Sequence, residues 1–266
     1  MTRRPSIRSF VALVLLTAFM ATTSSTASAQ SDRGKKRGER FTLDFSIEDC
    51  TFVTEDDGSP GNPFFPLVPG RELVLEGEDE RVEITTCFDD GSNCSTHDGT
   101  PVPGLHTVAL GGIETRVVEE RESEDGELVE ISHNFFARCL ENGSVFYFGE
   151  TVEDIEDGEA APADDAWEAG IGGAMPGVIM PGIYLLGSRY FQEVAPGVAL
   201  DRAEHTRMNL TLEFDLVGDG ETELEGCVEV IETSPLDRRG SQSEKMYCPG
   251  VGLVFDDGIE LVDKSF

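Results

Sequence analysis

Three groupings of residues in this chain have the types that could do chemistry. His133 and Cys139 share the apolar face of one alternating run with Val129, Ile131, Phe135 and Ala137. A histidine base beside a cysteine thiol is the arrangement of an acyl-transfer nucleophile. The spacing defeats it, because six extended residues at ~3.3 Å each hold the two Cα atoms ~20 Å apart. His133 reads instead as a core histidine with a satisfied ring, and as a candidate wall of a ligand cleft. Cys87, Cys94, His97 and His106 are zinc-ligand types, but their spacing matches no common structural zinc pattern. Asp215–Gly220 has a calcium-loop flavour, yet Val217 stands at its third position and Gly226 at its twelfth, where an acid or amide and a glutamate are needed.

No metal site, cofactor or catalytic residue is therefore assigned. The chain has no G-x-S-x-G, no phosphate loop and no H-E-x-x-H. Its acidic pairs are too numerous for any two to be singled out for glycoside cleavage. With 52 Asp and Glu against 20 Lys and Arg, the formal net charge is −32. That balance excludes a nucleic-acid partner, which would require clustered cations. It fits a solubilising surface, and leaves weak divalent-cation binding as the chemical use of the excess.

The elements that must position these residues are strands. Met208, Leu210, Leu212, Phe214 and Leu216 alternate with Asn209, Thr211, Glu213 and Asp215, the period of a half-buried strand. Similar runs are expected at Phe41–Ile47, Glu72–Leu75, Arg81–Phe88, Ile113–Glu120, Leu128–Cys139, Ser144–Thr151, Ile183–Glu193, Glu221–Thr233, Glu244–Cys248 and Gly252–Asp256. Asp-Gly and Asn-Gly turns separate several of them. The expected fold is all-β: a single antiparallel meander forming a curved sheet or half-open barrel over residues 41–266. Ala199–Arg207 is the best short helical candidate. Trp167–Gly182 (WEAGIGGAMPGVIMPG) holds the only tryptophan, five glycines and two prolines. It is expected to be a Gly/Pro-rich loop covering the sheet, anchored by the indole.

The first 29 residues read as a secretion signal: Arg3, Arg4 and Arg8, the apolar run Phe10–Met20, and Ala27-Ser28-Ala29 before the cut. Residues 30–40 form a basic flexible leader. No other stretch is apolar enough for a membrane span, so an extracytoplasmic product is expected, periplasmic or secreted. Six cysteines in an exported chain read as three disulfides. Cys227 and Cys248 flank a hairpin symmetrically, Cys87 and Cys94 close a loop, and Cys50 and Cys139 remain by elimination.

Several longer motifs carry a resemblance. NPFFPLVPG (Asn62–Gly70), FYFGE (Phe146–Glu150), WEAGIGGAMPGVIMPG, YFQEVAPGVALDRAE (Tyr190–Glu204) and YCPGVGLV (Tyr247–Val254) together resemble an uncharacterised family of exported bacterial β-rich proteins. The ending is also similar to that of small exported families with a curved antiparallel sheet, such as lipoprotein carriers. The resemblance implies one β domain and no activity. The expected function is non-catalytic: binding an apolar small molecule or an envelope protein partner on a concave sheet. Trp167, Met175, Met180, Tyr184, Tyr190 and His133 are the cleft candidates. The alternatives are a hydrolase using acidic residues and a cation-stabilised structural envelope protein. Intact-mass measurement of the exported protein is expected to show a chain starting at Gln30.

Overall fold

Burial alternates with period two over Glu72–Glu76 and along much of Arg202–Leu216 and Gly220–Thr233, while Glu114–Glu124, Glu127–Cys139 and Val145–Glu156 carry runs buried on both faces. The computed structural model describes residues 40–54, 61–238 and 240–266, and it holds seventeen strands and no α-helix there. A 3-10 turn, Ile47–Asp49, precedes β1 (Phe52–Val53), β2 (Glu72–Glu76), β3 (Glu80–Thr86), β4 (Leu105–Thr107) and β5 (Glu114–Glu124). Then come β6 (Glu127–Cys139), β7 (Val145–Glu156), β8 (Glu159–Pro162), β9 (Trp167–Glu168), β10 (Met175–Met180), β11 (Arg189–Phe191) and β12 (Glu193–Val194). The last five are β13 (Arg202–Leu216), β14 (Gly220–Thr233), β15 (Ser243–Cys248), β16 (Gly252–Asp256) and β17 (Ile259–Ser265). The expected signal, residues 1–29, and the leader up to residue 39 lie outside the described residues.

Thirteen strands build a nearly closed antiparallel barrel. From β2 the ring runs through β3, β5, β6, β7 and β10. It continues from β13 through β14, β15, β16 and β17, and β17 returns to β2. One short segment spans the remaining gap. Arg189–Phe191 pairs with β13, while Glu193 and Val194 pair with Pro176 and Met175 of β10. The meander expected from the sequence is therefore present.

Two clusters fill the structure. The larger is aromatic, with Phe136, Phe146, Tyr147, Phe148, Trp167 and Tyr247 among its members. The smaller gathers Leu73, Leu75, Phe214, Leu216, Val254, Ile259 and Leu261 around the Cys227–Cys248 disulfide. The other disulfides are Cys87–Cys94 and Cys50–Cys139, so all three join the residues that the spacing paired.

Four expectations are corrected. Trp167–Gly182 is not a covering loop: β9 pairs with Gly149 and Glu150 of β7, and β10 is a stave of the barrel. Pro176 fits in a strand here because its β12 partner is only two residues long, so few ladder bonds are lost. Gly177 is required by close approach, since a Cβ there would collide with the backbone of Gln192. Second, Phe41–Ile47 alternates but forms no strand. Its ladder-type backbone pairing is confined to three-residue β11, through Thr42 N to Arg189 O at 2.9 Å and Phe191 N to Thr42 O at 2.8 Å. Third, Ala199–Arg207 is not helical. Ala203 and His205 are buried between half-buried neighbours, and their pairing with β14 overrides helix propensity. Fourth, the run expected over Ile183–Glu193 is strand only from Arg189 onward, because residues 183–188 form turns and irregular backbone. The strands β1, β4, β8 and β17 lie outside the expected runs.

The NPFFPLVPG stretch acts as a staple. Asn62 is 1% exposed. Its Nδ2 donates to Gly143 O at 3.0 Å and Pro181 O at 3.1 Å, and its Oδ1 accepts from the Phe64 and Phe65 amides. One side chain thus ties the β6–β7 turn, the end of β10 and its own loop together. Asn62→Ala leaves several buried polar groups unpaired and is expected to cost about 2–3 kcal/mol in denaturant unfolding.

Candidate binding site in the barrel lumen

In a strand, side chains at every second position point the same way. In this ring those positions surround one cavity of about 400 Å³. Leu73 and Leu75 line it from β2, Val82, Ile84 and Thr86 from β3, and Val118, Glu120 and Glu122 from β5. Glu130, Ser132, Asn134 and Phe136 continue it on β6, and Ser243, Lys245 and Tyr247 on β15.

The strand registers sort this lining by chemistry. Glu122 lies opposite Glu130, Glu120 opposite Ser132, and Val118 opposite Asn134. One step further, Phe136 lies opposite Tyr147. Across the ring, Asp256 faces Lys245 and Leu253 faces Tyr247. The lumen therefore has an acidic end and an aromatic end. At the aromatic end Phe65 packs against Phe136 at 4.9 Å between ring centroids, and Phe136 stacks on Tyr147 at 4.7 Å. Trp167 backs Tyr147 edge-on at 5.3 Å. Gly149, in FYFGE, makes that approach workable: its φ is 133°, and a Cβ would collide with the Trp167 carbonyl.

Twelve carboxyl side chains line the lumen against two basic ones, Arg71 and Lys245. Both bases are engaged. Lys245 Nζ lies 3.2 Å from Glu232 Oε2 and 3.3 Å from Asp256 Oδ2. Arg71 donates to the carbonyls of Gly250 and Val251 and lies over the Phe266 ring. No lumen base pairs with Glu120, Glu122, Glu130, Glu150 or Glu193 among the described residues.

These acids touch water-sized space, yet protein crowds them on every side, and their charged forms are disfavoured. Burial, reinforced by Glu130 and Glu120, pushes Glu122 up to about 9. Burial with Asp165 and Glu150 pushes Glu130 up to about 8. Glu150 and Glu193 are raised chiefly by burial, with a hydrogen bond from Tyr147 opposing the shift at Glu150. Burial and Glu232 raise Asp201 to about 6. Burial alone would lower Lys245, but Asp256 and Glu232 outweigh it and hold the ammonium charged.

The cleft candidates lie elsewhere, and none borders the lumen. Trp167 is buried behind Tyr147, Met180 is fully buried, and Met175 is 43% exposed. The Tyr190 hydroxyl lies 2.8 Å from His205 Nε2, and Tyr184 stacks on the same imidazole at 3.8 Å. His133 is buried under the Cys87–Cys94 loop, where its Nε2 meets Glu119 Oε2 at 3.0 Å. Arg121 and the Ser95 amide complete that carboxylate's shell. Burial pushes Glu119 up, but His133 and Arg121 outweigh it and hold Glu119 below the usual range. The zinc grouping is dissolved because Cys87 and Cys94 are joined. Among the described residues, one triad holds its donor atoms within 4.8 Å of one another: Cys50, Cys139 and Glu141. Its two sulfurs form a disulfide.

The lumen acids were not singled out from the sequence, although one signal was there. Val117-Val118 is an adjacent apolar pair, the mark of a strand covered on both faces. Glu120 and Glu122 continue the face of Val118, so they had to point inward. Comparison with protein-family models, with curated proteins and with solved structures finds no match to this chain.

The raised carboxyls set a pH dependence. The folded chain holds protons on Glu122 and Glu130 that the unfolded chain, with ordinary glutamate values, has already released. Stability therefore falls as pH rises through 7 to 9. His205, lowered to about 4 by burial, acts oppositely but only below its ordinary value. Calorimetry of the ligand-free protein is expected to show a lower Tm at pH 9 than at pH 7, at about 2–4 °C per kcal/mol lost. Glu122→Gln should flatten the slope.

Proposed function

We propose that this chain is an extracytoplasmic binding protein that takes a small amphipathic molecule into its barrel lumen. The carrying observation is the lumen itself, about 400 Å³ with an aromatic end and a polar end. Ligand pockets have that size, and larger barrels enclose such cavities. Three disulfides support residence in an oxidising compartment.

Binding fits better than acid-dependent hydrolysis. Acid–base catalysis by paired carboxyls uses two environments that push their pKa values apart. Here Glu122, Glu130, Glu150, Glu193 and Asp201 all shift the same way.

Trp167 serves as the reporter, because its contact Tyr147 lines the lumen. Titration with decanol, decylamine and decanoate is expected to change Trp167 emission with at least one ligand, saturably and at one ligand per chain by native mass spectrometry. Val118→Phe, which fills the aromatic end, should weaken that binding about tenfold or more, the equivalent of 1.4 kcal/mol. If none of the three binds, the lumen is not a site for such molecules.

A further inference from the structure

We infer that the molecule held in the lumen is an organic ammonium, with its tail at the aromatic end and its charged nitrogen among Glu120, Glu122, Glu130 and Gln192. This rests on the lumen-binding reading and names the chemical class of the ligand.

An acidic cluster alone would not carry the inference; Gln192 adds an independent observation. It is 2% exposed and borders the lumen. Its Nε2 donates to Glu232 Oε1 at 2.6 Å, which fixes the orientation of the amide. The opposite atom, Oε1, is buried with no hydrogen-bond partner among the described residues. One carboxylate oxygen of Asp165, also on the lumen wall, lacks a partner as well. A buried acceptor left unpaired costs roughly 1–3 kcal/mol, and a donor supplied by a ligand removes that cost. The wall thus offers acceptors in excess and has already used its own cations. A cation entering the lumen would bring N–H donors for these acceptors and let Glu122 and Glu130 release the protons they hold in the ligand-free chain, so its binding is coupled to proton release.

The geometry separates an organic cation from a metal ion. A calcium ion takes six to eight oxygens converging at about 2.3–2.6 Å. No three lumen carboxyls among the described residues place oxygens within 4.8 Å of one another. Acceptors spread around a wide ring suit several N–H donors on a larger group. The aromatic end a few residues further along the same strands gives an attached apolar body its place.

Calorimetric titration of the full chain with decylamine, decanol, decanoate and calcium chloride tests this. Decylamine is expected to bind at least tenfold more tightly than decanol, with decanoate weaker than both. The double variant Glu122→Gln, Glu130→Gln should erase the preference for the amine and keep the decanol affinity, which also shows that the barrel is intact. Equal affinity for amine and alcohol, or tightest binding of decanoate, overturns the ammonium inference and leaves lumen binding standing. Displacement of decylamine by calcium at one ion per chain overturns it in favour of a metal site. No binding by any of the four overturns both.

Discussion

The ring depends on one close crossing. β10 and the segment Arg189–Val194 approach so nearly at Gly177 that any side chain there would strike the Gln192 backbone. Without that contact the sheet would keep two open edges, one at β10 and one at β13. With it, the segment divides its hydrogen bonds between the two sides and the barrel encloses a volume. The same crossing seats Gln192 on the lumen wall, so the residue that completes closure also carries the unpaired amide oxygen. Architecture and chemistry meet at a single backbone position.

Alternation made the fold legible. Runs such as Met208–Leu216 have no other stable reading, and the turn residues between runs set an antiparallel order. Where local composition argued against regular structure, tertiary pairing decided otherwise. MPGVIM looks broken by its Pro and Gly, yet β7 and β12 supply partners on its two sides. FTLDFSI looks like a strand, yet only a three-residue edge is available to it. Pairing partners are distant in sequence, so neither outcome is visible in a window of ten residues.

The lumen was hidden for a related reason. In a chain with 52 acids, a glutamate on a strand looks like a solvated residue. Only closure turns one face of β5 and β6 inward, and only then do Glu120, Glu122 and Glu130 become crowded acids with raised proton affinity. Three of the cleft candidates from the sequence are buried for packing. Trp167, Met180 and Tyr190 fill space behind the wall and do not form it.

The pairing of β17 with β2 has a consequence for how the molecule comes to exist. These are the first and last strands of the ring in chain order, so the ring has its seam where sequence separation is greatest. Such a contact must overcome the entropy of closing a very long loop before it contributes anything. Hairpins such as β13–β14 and the short disulfide loop at Cys87–Cys94 need no such wait. A growing chain can therefore acquire its local pieces early, but it remains an open ribbon until Ile259–Ser265 is available. The enclosed volume therefore comes into being in one late step, when the last strand meets β2 and the ribbon becomes a ring.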